Sequence, residues 1–311
     1  MIPAAEAVER FAADLAALSP RGEAIGIAVS GGPDSLALLL LAAAARPGAV
    51  AAATVDHRFR PESAAEAKMV SAICARLGLP HSILAANLQA RARAERYDLL
   101  AQWARERGIA AVATAHHADD QAETLIMRLA RGAGIRGLGG IRPRRSLDGR
   151  VAVIRPLLRW RRSELADIVT QAGLVGIDDP SNHDVRHDRT RVRSDLAGPA
   201  QWPDALRLAA VAAHLREADE ALDWALRPVV RSCLTSDGDA LLIEANAVPR
   251  EFQRRLLLEA FTRLQAPWPP GPELTRALAA LGAGRTITLG GIKLEPGPPW
   301  RLSRAPPHRH C

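Results

Sequence analysis

The fold is decided by the stretch Ser30-Gly31-Gly32-Pro33-Asp34-Ser35, which lies between two apolar segments. The segment before it, residues 24–29, has the composition of a buried strand, and the segment after it, residues 36–45, consists of strong helix formers. Two glycines in a strand-to-helix turn let the backbone approach a ligand closely, and the free N–H groups of the helix start favour an anion there. The stretch therefore predicts a phosphate-binding loop.

This loop is not a Walker A loop, because no lysine follows its glycines. A carboxylate at Asp34 would repel a bare phosphate, but it suits a Mg²⁺ ion that bridges the protein to phosphate oxygens. The hydroxyls of Ser30 and Ser35 add donors beside the backbone N–H groups. A glycine-rich turn without a ligand is the alternative for the Ser-Gly-Gly triplet alone, whereas the complete six-residue pattern favours a nucleotide phosphate site.

Length and composition predict a soluble, two-domain protein with a polyanionic partner. The chain has 311 residues with 41 basic and 34 acidic side chains, and its net charge of +7 gives modest support to such a partner. Its three cysteines have no C-x-x-C spacing, so we expect no disulfide framework, zinc site or iron–sulfur site. The longest apolar run is about half of a membrane span, and the first residues lack the basic region of a signal peptide. We therefore expect a cytoplasmic protein.

Strands and helices alternate through the first part of the chain, which predicts an α/β fold with a doubly wound parallel sheet. The predicted strands cover residues 24–29, 49–55, 81–84, 109–114 and 151–154. The predicted helices cover residues 4–18, 36–45, 63–77 and 92–107, followed by one that opens within 115–123 and ends near 130 and one over 163–173. In such sheets ligands bind beyond the carboxyl ends of the strands, which is where the sequence puts residues 30–35, Asp56-His57 and 116–123.

The remaining segments differ in character. Residues 131–150 are rich in glycine and arginine, as in a mobile loop, and residues 177–193 are polar and irregular. Gly-Pro and Trp-Pro pairs near residue 200 predict a boundary between a domain over 1–200 and a smaller, mainly helical domain over 201–311. In the second domain the pattern predicts helices at 206–226, 250–264 and 273–281 and strands at 240–243 and 286–294.

Two carboxylates three residues apart mark the helix that follows the fourth predicted strand. Asp120 and Glu123 share one helix face, whereas Leu125 and Leu129 point roughly the opposite way, toward the sheet. The carboxylates then face the crevice at the strand end, with His116 just before the helix. An acidic helix start favoured by the helix dipole is the alternative, but the phosphate loop predicted beside it favours a functional site.

The same region contains a family signature. The stretch Thr114-Ala115-His116-His117-Ala118-Asp119-Asp120-Gln121-Ala122-Glu123-Thr124 resembles the A-H-H-x-D-D-Q-x-E-T signature of the tRNA(Ile)-lysidine synthases, and residues 30–35 resemble the PP-loop of the N-type ATP pyrophosphatases. Further motifs of the family occur in the family's order, at 55–63, 94–97, 131–134, 155–158 and 178–182. One departure follows them, because the family pattern continues Arg-Asn where this chain has Arg189-Thr190.

The resemblance implies an adenine nucleotide alpha hydrolase-like, Rossmann-like fold and a two-step reaction on the wobble cytidine of the isoleucine tRNA with a CAU anticodon. The O2 atom of cytosine attacks the α-phosphate of ATP and pyrophosphate leaves. The amine of free L-lysine then attacks C2 and expels AMP, which leaves lysidine. ATP as cosubstrate, Mg²⁺, the tRNA anticodon loop and L-lysine are therefore the expected ligands.

The resemblance also implies roles for residues. The nucleotide-binding residues are Ser30, Gly31, Gly32, Pro33, Asp34, Ser35 and Asp56, and the catalytic residues are Asp34, Arg96, His116, Asp120 and Glu123. Asp34 would hold Mg²⁺, and Arg96 would stabilise charge at the α-phosphate. The amine of lysine has a reference pKa of about 10.4 and must lose a proton before it attacks, so His116, Asp120 or Glu123 would accept that proton or position the amine.

Three other interpretations stay open at this point. A tRNA thiolase of the same PP-loop class commonly needs a pair of cysteines that this chain does not offer, and an amide- or guanidine-forming synthetase would not need the His-His-x-Asp-Asp pattern. An inactive RNA-binding protein would not need Asp34, Asp120 and Glu123. Candidate tRNA contacts are the arginines of 142–145, 155–162 and 186–193 together with the second domain. The oligomeric state is open, with a homodimer as one option.

Overall fold

The computed structural model describes residues 2–20, 22–56, 63–86, 92–177, 188–197 and 203–305. The chain forms two compact units. The N-terminal unit consists of Met1–Gly132 and Gly137–His214, and the C-terminal unit consists of Ala133–Arg136 and Leu215–Cys311. The expected boundary at residue 200 lies outside the described residues, so the division into 1–200 and 201–311 stays a prediction.

A six-stranded sheet forms the centre of the N-terminal unit. Its strands are β1 (Ile25–Ala28), β2 (Val50–Asp56), β3 (His81–Ala85), β4 (Ala111–Ala113), β5 (Arg144–Ser146) and β6 (Ala152–Ile154). Their order across the sheet is β3-β2-β1-β4-β6-β5, and every neighbouring pair is parallel except β5 with β6. The doubly wound parallel sheet predicted from the sequence is thereby confirmed.

Helices accompany this sheet in chain order, and the sequence pattern predicts all of them except those at 135–138 and 188–197. They are α1 (Ala5–Ala16), α2 (Pro33–Ala45), α3 (Ser63–Arg76), α4 (Ala92–Glu106), α5 (Ala118–Ala130), α6 (Ile135–Leu138), α7 (Arg162–Gln171) and α8 (Asp188–Ala197), followed by α9 (Ala205–Cys233), which continues into the C-terminal unit. Helix α2 is apolar all round because it packs against α1, α7 and the sheet, and its residues 36–42 are at most 1% exposed.

The order of the strands creates the crevice in which the site lies. The chain runs outward from β1 through β2 to β3, then returns to the other side of β1 with β4. The loop after β1 and the start of α5 after β4 therefore leave the sheet at neighbouring carboxyl ends, at the point where the strand order reverses. Ligands of open α/β sheets bind at such a switch point.

Two segments expected to be irregular contain regular structure, and the sequence expectation was wrong there. Helix α8 lies partly within 177–193, and it has no apolar stripe because most of its residues are charged or polar. Strand β5 lies within 131–150, and it shows no alternation because all three of its residues are exposed at the edge of the sheet. Such polar elements are stabilised by ion pairs or by one neighbouring strand. Their sequences therefore lack the periodic apolar residues from which a helix or strand is predicted.

The C-terminal unit combines helices with an antiparallel sheet. Helices α10 (Arg250–Arg263) and α11 (Gly271–Gly282) accompany β7 (Leu234–Asp237), β8 (Ala240–Ile243), β9 (Ile287–Leu289), β10 (Ile292–Glu295) and β11 (Trp300–Arg304), in the sheet order β7-β8-β11-β10-β9. The predicted hairpin over Gly290-Gly291 is present, with positive φ at both glycines. The sequence pattern does not predict β7 or β11, and α9 continues past Pro228 to Cys233.

No helix within the described parts of the chain is long and apolar enough to cross a membrane.

Candidate active site

The phosphate loop joins β1 to α2 in the conformation that its sequence requires. Gly31 has a φ of +87°, which residues with a side chain rarely adopt. Gly32 is the extended N-cap residue of α2 and Pro33 is its first helical residue, so the chain turns directly into the helix N-terminus. Ser35 Oγ donates to the carbonyl oxygen of Gly32 (2.9 Å) and accepts from the backbone N–H of Ser30 (3.2 Å). The turn is thus braced from within and presents backbone N–H groups to an anion.

A short segment after α7, residues 174–177, packs on the phosphate loop, and we call it the strap. The backbone N–H of Ile177 donates to the carbonyl oxygen of Gly31 at 2.9 Å. A Cβ atom added to Gly31 would lie 2.3 Å from Ile177 Cδ1, and one added to Gly176 would lie 2.7 Å from the nitrogen of Pro33. The loop and the strap therefore fit together only because glycine occupies both positions.

His117 connects the phosphate loop to α5. Its imidazole is 2% exposed, and its Nε2 atom lies 3.4 Å from Asp34 Oδ2 and 3.7 Å from Asp120 Oδ2. Its Nδ1 atom lies 3.5 Å from Asp119 Oδ2. Its backbone N–H donates to Asp120 Oδ2 at 3.0 Å, which caps the start of α5. One buried ring is thus surrounded by three carboxylates from the loop and the helix.

The charge of His117 follows from this environment. Burial lowers its pKa, but the neighbouring carboxylates of Asp119, Asp34 and Asp120 outweigh burial and raise the pKa to about 10. The ring is therefore an imidazolium at neutral pH. It places a positive charge between the phosphate loop and the acidic start of α5.

Asp34 offers an oxygen atom to a metal ion. Its Oδ2 atom faces His117, whereas its Oδ1 atom is buried and accepts no hydrogen bond from the described residues. A buried carboxylate oxygen of this kind is costly unless a cation or a donor completes it. Within the described ranges no group of three or more His, Cys, Asp and Glu side chains could hold a metal. Mg²⁺ commonly binds through one or two carboxylates and the phosphates of its substrate, so Asp34 fits an ion that arrives with a nucleotide.

A cluster of ion pairs joins α5 to α8, and its members are Asp120, Glu123, Arg189 and Arg193. Glu123 is 2% exposed and accepts from Arg189 Nε at 2.5 Å and from Arg193 Nε at 2.7 Å. Arg189 also donates through Nη2 to Asp120 Oδ1 at 2.5 Å. A buried carboxylate is tolerated only with such partners. The two predicted carboxylates therefore share one face of α5, as expected, and that face is covered by arginines.

The start of α5 is held by two further side chains of the signature. Gln121 donates through Nε2 to the carbonyl oxygen of Ile141 (2.9 Å) and accepts its backbone N–H (2.6 Å). Gly140 has a φ of +66° and no room for a Cβ, which would lie 2.3 Å from Gln121 Oε1. Asp119 accepts the backbone N–H of Arg162 at 2.8 Å. These contacts fix the helix on which the carboxylates lie.

The other predicted site residues are positioned by their elements. His116 Nδ1 lies 3.0 Å from Thr114 Oγ1. Asp56 ends β2, next to β1 in the sheet, and Arg96 is exposed on α4. The contacts described above connect Asp34, Asp120 and Glu123 through His117 and Arg189.

Two further predictions for this region concern the motifs that flank the site and the apolar face of α5. His57 and the motif at 178–182 lie outside the described residues. On the sheet side of α5, Leu125 is buried as expected, but Leu129 is 57% exposed. The apolar face of this helix therefore ends before its last turn.

Three members of the site, His117, Arg189 and Arg193, are not among the predicted catalytic and nucleotide-binding residues. His116 and His117 each stand three residues before an aspartate, so the spacing of an N-cap residue and its reciprocal partner does not distinguish them. Arg189 and Arg193 are four residues apart and share a helix face. They pair with Asp120 and Glu123, which are three residues apart on α5, but this pairing becomes visible only once residues 188–197 are known to be helical.

Comparisons with known proteins show the family to which this chain belongs. A family model described as a PP-loop domain matches residues 4–199. The chain is 47% identical to the tRNA(Ile)-lysidine synthase of Novosphingobium aromaticivorans over 97% of this chain and 95% of that protein. It is 40% identical to the tRNA(Ile)-lysidine synthase of Zymomonas mobilis over 94% of this chain and 91% of that protein.

A solved structure adds a likeness of fold. The U34-tRNA thiolase of Methanococcus maripaludis superposes with a TM-score of 0.53 at 16% identity, over 70% of this chain and 79% of that one. At this identity the likeness concerns the fold alone, which is the adenine nucleotide alpha hydrolase-like fold expected from the sequence. With a PP-loop domain over most of its length and with close relatives along nearly all of it, the chain belongs to the tRNA(Ile)-lysidine synthase family of PP-loop enzymes.

Proposed function

We propose that this enzyme ligates L-lysine to C2 of the wobble cytidine of the isoleucine tRNA with a CAU anticodon, through an adenylated cytidine, and releases AMP and pyrophosphate. The observation that carries the proposal is the position of His117, whose Nε2 atom lies 3.4 Å from Asp34 of the phosphate loop and 3.7 Å from Asp120 of α5. In this proposal the phosphate loop is the site at which ATP activates the base oxygen. The acidic face of α5 is the adjoining site that attracts the cationic amine of lysine. The family name of the relatives supports tRNA as the substrate, and the PP-loop domain supports ATP.

In the first step the O2 atom of cytosine attacks the α-phosphorus of ATP, and the bond to the pyrophosphate oxygen breaks. The backbone N–H groups at Gly31 and Gly32 and the hydroxyls of Ser30 and Ser35 hold the departing pyrophosphate. A Mg²⁺ ion held by Asp34 would neutralise charge on that leaving group. The imidazolium of His117 adds positive charge beside the same loop.

The remaining residues of the first step are assigned by their place in the signature and the sheet. Arg96 stabilises the charge that develops at the α-phosphate, and Asp56, at the end of the strand next to β1, binds the nucleotide. The target base must leave the anticodon stack to reach this crevice.

In the second step the amine of lysine attacks C2, and the bond between C2 and O2 breaks so that AMP leaves with the former base oxygen. Asp120 and Glu123 attract the ammonium group, and one of them or His116 accepts its proton. Arg189 and Arg193 already occupy both carboxylates. The incoming ammonium group must therefore share these carboxylates or replace a guanidinium.

A tRNA thiolase is the competing function, because a thiolase shares this fold. The properties of Cys74 disfavour it, since burial raises the pKa of this thiol to about 11 and leaves it a poor nucleophile at neutral pH. A homodimer and a cytoplasmic location stay predictions.

One assay tests the proposed function. Purified protein is incubated with ATP, labelled L-lysine and either the cognate tRNA or the same tRNA with uridine at the wobble position. We expect label in the cognate tRNA only, with one AMP formed for each lysine incorporated. Label in neither tRNA, or label without AMP, would contradict the proposal.

A further inference from the structure

An open cavity of about 370 Å³ lies within the C-terminal unit. Its walls come from α9, α10, the connection between α10 and α11, and the short segment that ends at Arg136, all of which belong to this unit. We call it the Trp268 pocket, and its polar and aromatic lining consists of Arg136, Asp223, Arg227, Arg255, Glu259 and Trp268. Its volume falls in the range of about 300–1,000 Å³ that small-ligand sites occupy.

Trp268 lines this pocket and is half exposed. The side chain is 52% exposed, although burying a tryptophan is favourable. Its indole N–H donates to Thr262 Oγ1 at 2.9 Å, and the guanidinium of Arg136 lies 5.3 Å from the ring centroid. The polar edge of the ring is therefore satisfied and its orientation is set, which leaves an aromatic surface available to a planar ligand.

The acidic residues of the pocket are already neutralised. Arg255 is 2% exposed and pairs with Asp219 at 2.7 Å and with Asp223 at 2.6 Å. Arg136 pairs with Asp223 at 2.5 Å, and Glu259 pairs with Arg263, a residue of the next helical turn, at 3.0 Å. These carboxylates therefore do not repel an approaching anion as free ones would.

Arg227 is the cation that this network leaves available. It is exposed, lines the pocket, and forms no ion pair with any residue in the described part of the chain. Trp224, which is 70% exposed, and Arg231 follow the same side of α9, because positions i, i+3 and i+7 share a helix face. The helix face beside the pocket therefore carries one aromatic ring, that of Trp224, and two arginines, Arg227 and Arg231.

We propose that the Trp268 pocket binds one unpaired nucleotide of the tRNA, with the base stacked on Trp268 and the adjoining phosphate bound by Arg227. Fixed aromatic rings beside unpaired arginines are the features with which proteins hold single-stranded RNA. A stable protein interface buries about 1,200–2,000 Å², whereas a pocket of about 370 Å³ has the size for a single planar group. The inference rests on the proposed function for the identity of the RNA.

The test measures the affinity of the full-length protein for the tRNA at several salt concentrations. Trp268→Ala is expected to weaken binding by about 10-fold or more at every salt concentration, whereas Trp268→Phe, which keeps a stacking ring, stays within about threefold of wild type. Arg227→Gln is expected to weaken binding. It should also lower the slope of log Kd against log salt by about 1, the contribution of one phosphate contact. The matched control is Arg301→Gln, at an exposed arginine of the same unit that already pairs with Asp237, which should bind as wild type.

Equal losses for Trp268→Ala and Trp268→Phe would overturn the proposal, because packing rather than stacking would then explain them. Wild-type affinity of Trp268→Ala, the outcome expected if the pocket takes a protein, would also overturn it.

Lysine incorporation separates this inference from the proposed function. Trp268→Ala should raise the KM for tRNA and keep kcat. If wild-type protein forms no lysidine but the binding pattern holds, the proposed function fails and the pocket stands as an RNA site.

Discussion

His117 is the residue on which the electrostatics of the candidate site depend. It is buried within 3.4 to 3.7 Å of carboxylate oxygens of Asp34, Asp119 and Asp120. Without a positive ring, three carboxylates would converge beside the loop that binds phosphates. The imidazolium lowers that repulsion, so we expect this residue to stabilise the fold of the site.

Replacing His117 with alanine is expected to destabilise the protein by about 2–4 kcal/mol. This is less than the 3–5 kcal/mol typical of a broken buried ion pair, because Asp34 and Asp119 are partly exposed and water can solvate them. Urea denaturation measures the change, with His214→Ala, at an exposed histidine of α9, as the control. A change below 1 kcal/mol in His117→Ala would mean that the carboxylates do not depend on the ring.

Asp34 is expected to be essential for pyrophosphate release. Its buried Oδ1 atom has no partner among the described residues, and removal of a carboxylate that holds Mg²⁺ at a leaving group should lower the rate by about 10³-fold or more. Pyrophosphate release by Asp34→Ala is compared with that by Asp239→Asn, at an exposed turn of the C-terminal unit. Near-normal release by Asp34→Ala would exclude a metal-binding role.

At the scale of elements, α5 and α8 show which parts of the site a sequence reveals. The position of α5 was predictable, because a strand, a helix with a buried side and two carboxylates three residues apart all agree. Helix α8 was not, because it is charged on every side and its contact with α5 consists of arginines on Glu123 and Asp120. His117 was not predicted for a related reason, since its burial distinguishes it from its neighbour His116 and only the fold determines burial.

The ion-pair cluster between these helices should serve the second step more than the first. Glu123→Gln keeps the shape of the side chain but removes the charge that would attract the ammonium group of lysine. We expect tRNA adenylation within about 10-fold of wild type, and lysine transfer lower by about 10²–10⁴-fold, the usual contribution of a general base. Release of pyrophosphate and incorporation of labelled lysine are measured on the same sample. Equal loss of both steps would contradict this assignment.

The strap should position the phosphate loop. In Gly176→Ala the new Cβ would lie 2.7 Å from the nitrogen and 2.8 Å from the Cδ of Pro33, so the loop must shift. Overpacking of this kind costs about 1–3 kcal/mol, and we expect a KM for ATP raised by about 10-fold with little change in affinity for tRNA. Gly282→Ala is the control, because nothing lies within 4 Å of its added Cβ. An unchanged KM for ATP would show that the loop does not depend on the strap.

At the scale of the whole molecule, the count of 41 basic side chains overstates the basic surface open to RNA. Many arginines are committed to structural ion pairs, such as Arg10 with Glu164, Arg161 with Asp204 and Arg255 with Asp219. Composition alone could not separate these arginines from those that meet a substrate. The class of partner was therefore predictable from the sequence, whereas the contact residues depend on which guanidinium groups the fold leaves unpaired.

Binding of the tRNA is therefore expected to weaken steeply with salt, although less steeply than the number of arginines suggests. If the unpaired arginines neutralise about six phosphates, the affinity should fall by about 10³-fold between 50 and 200 mM salt. Fluorescence anisotropy with labelled tRNA measures this slope, and the urea midpoint at each salt concentration controls for unfolding. A flat response would mean that the positive charge serves the fold alone, since counterion release must accompany any contact with several phosphates.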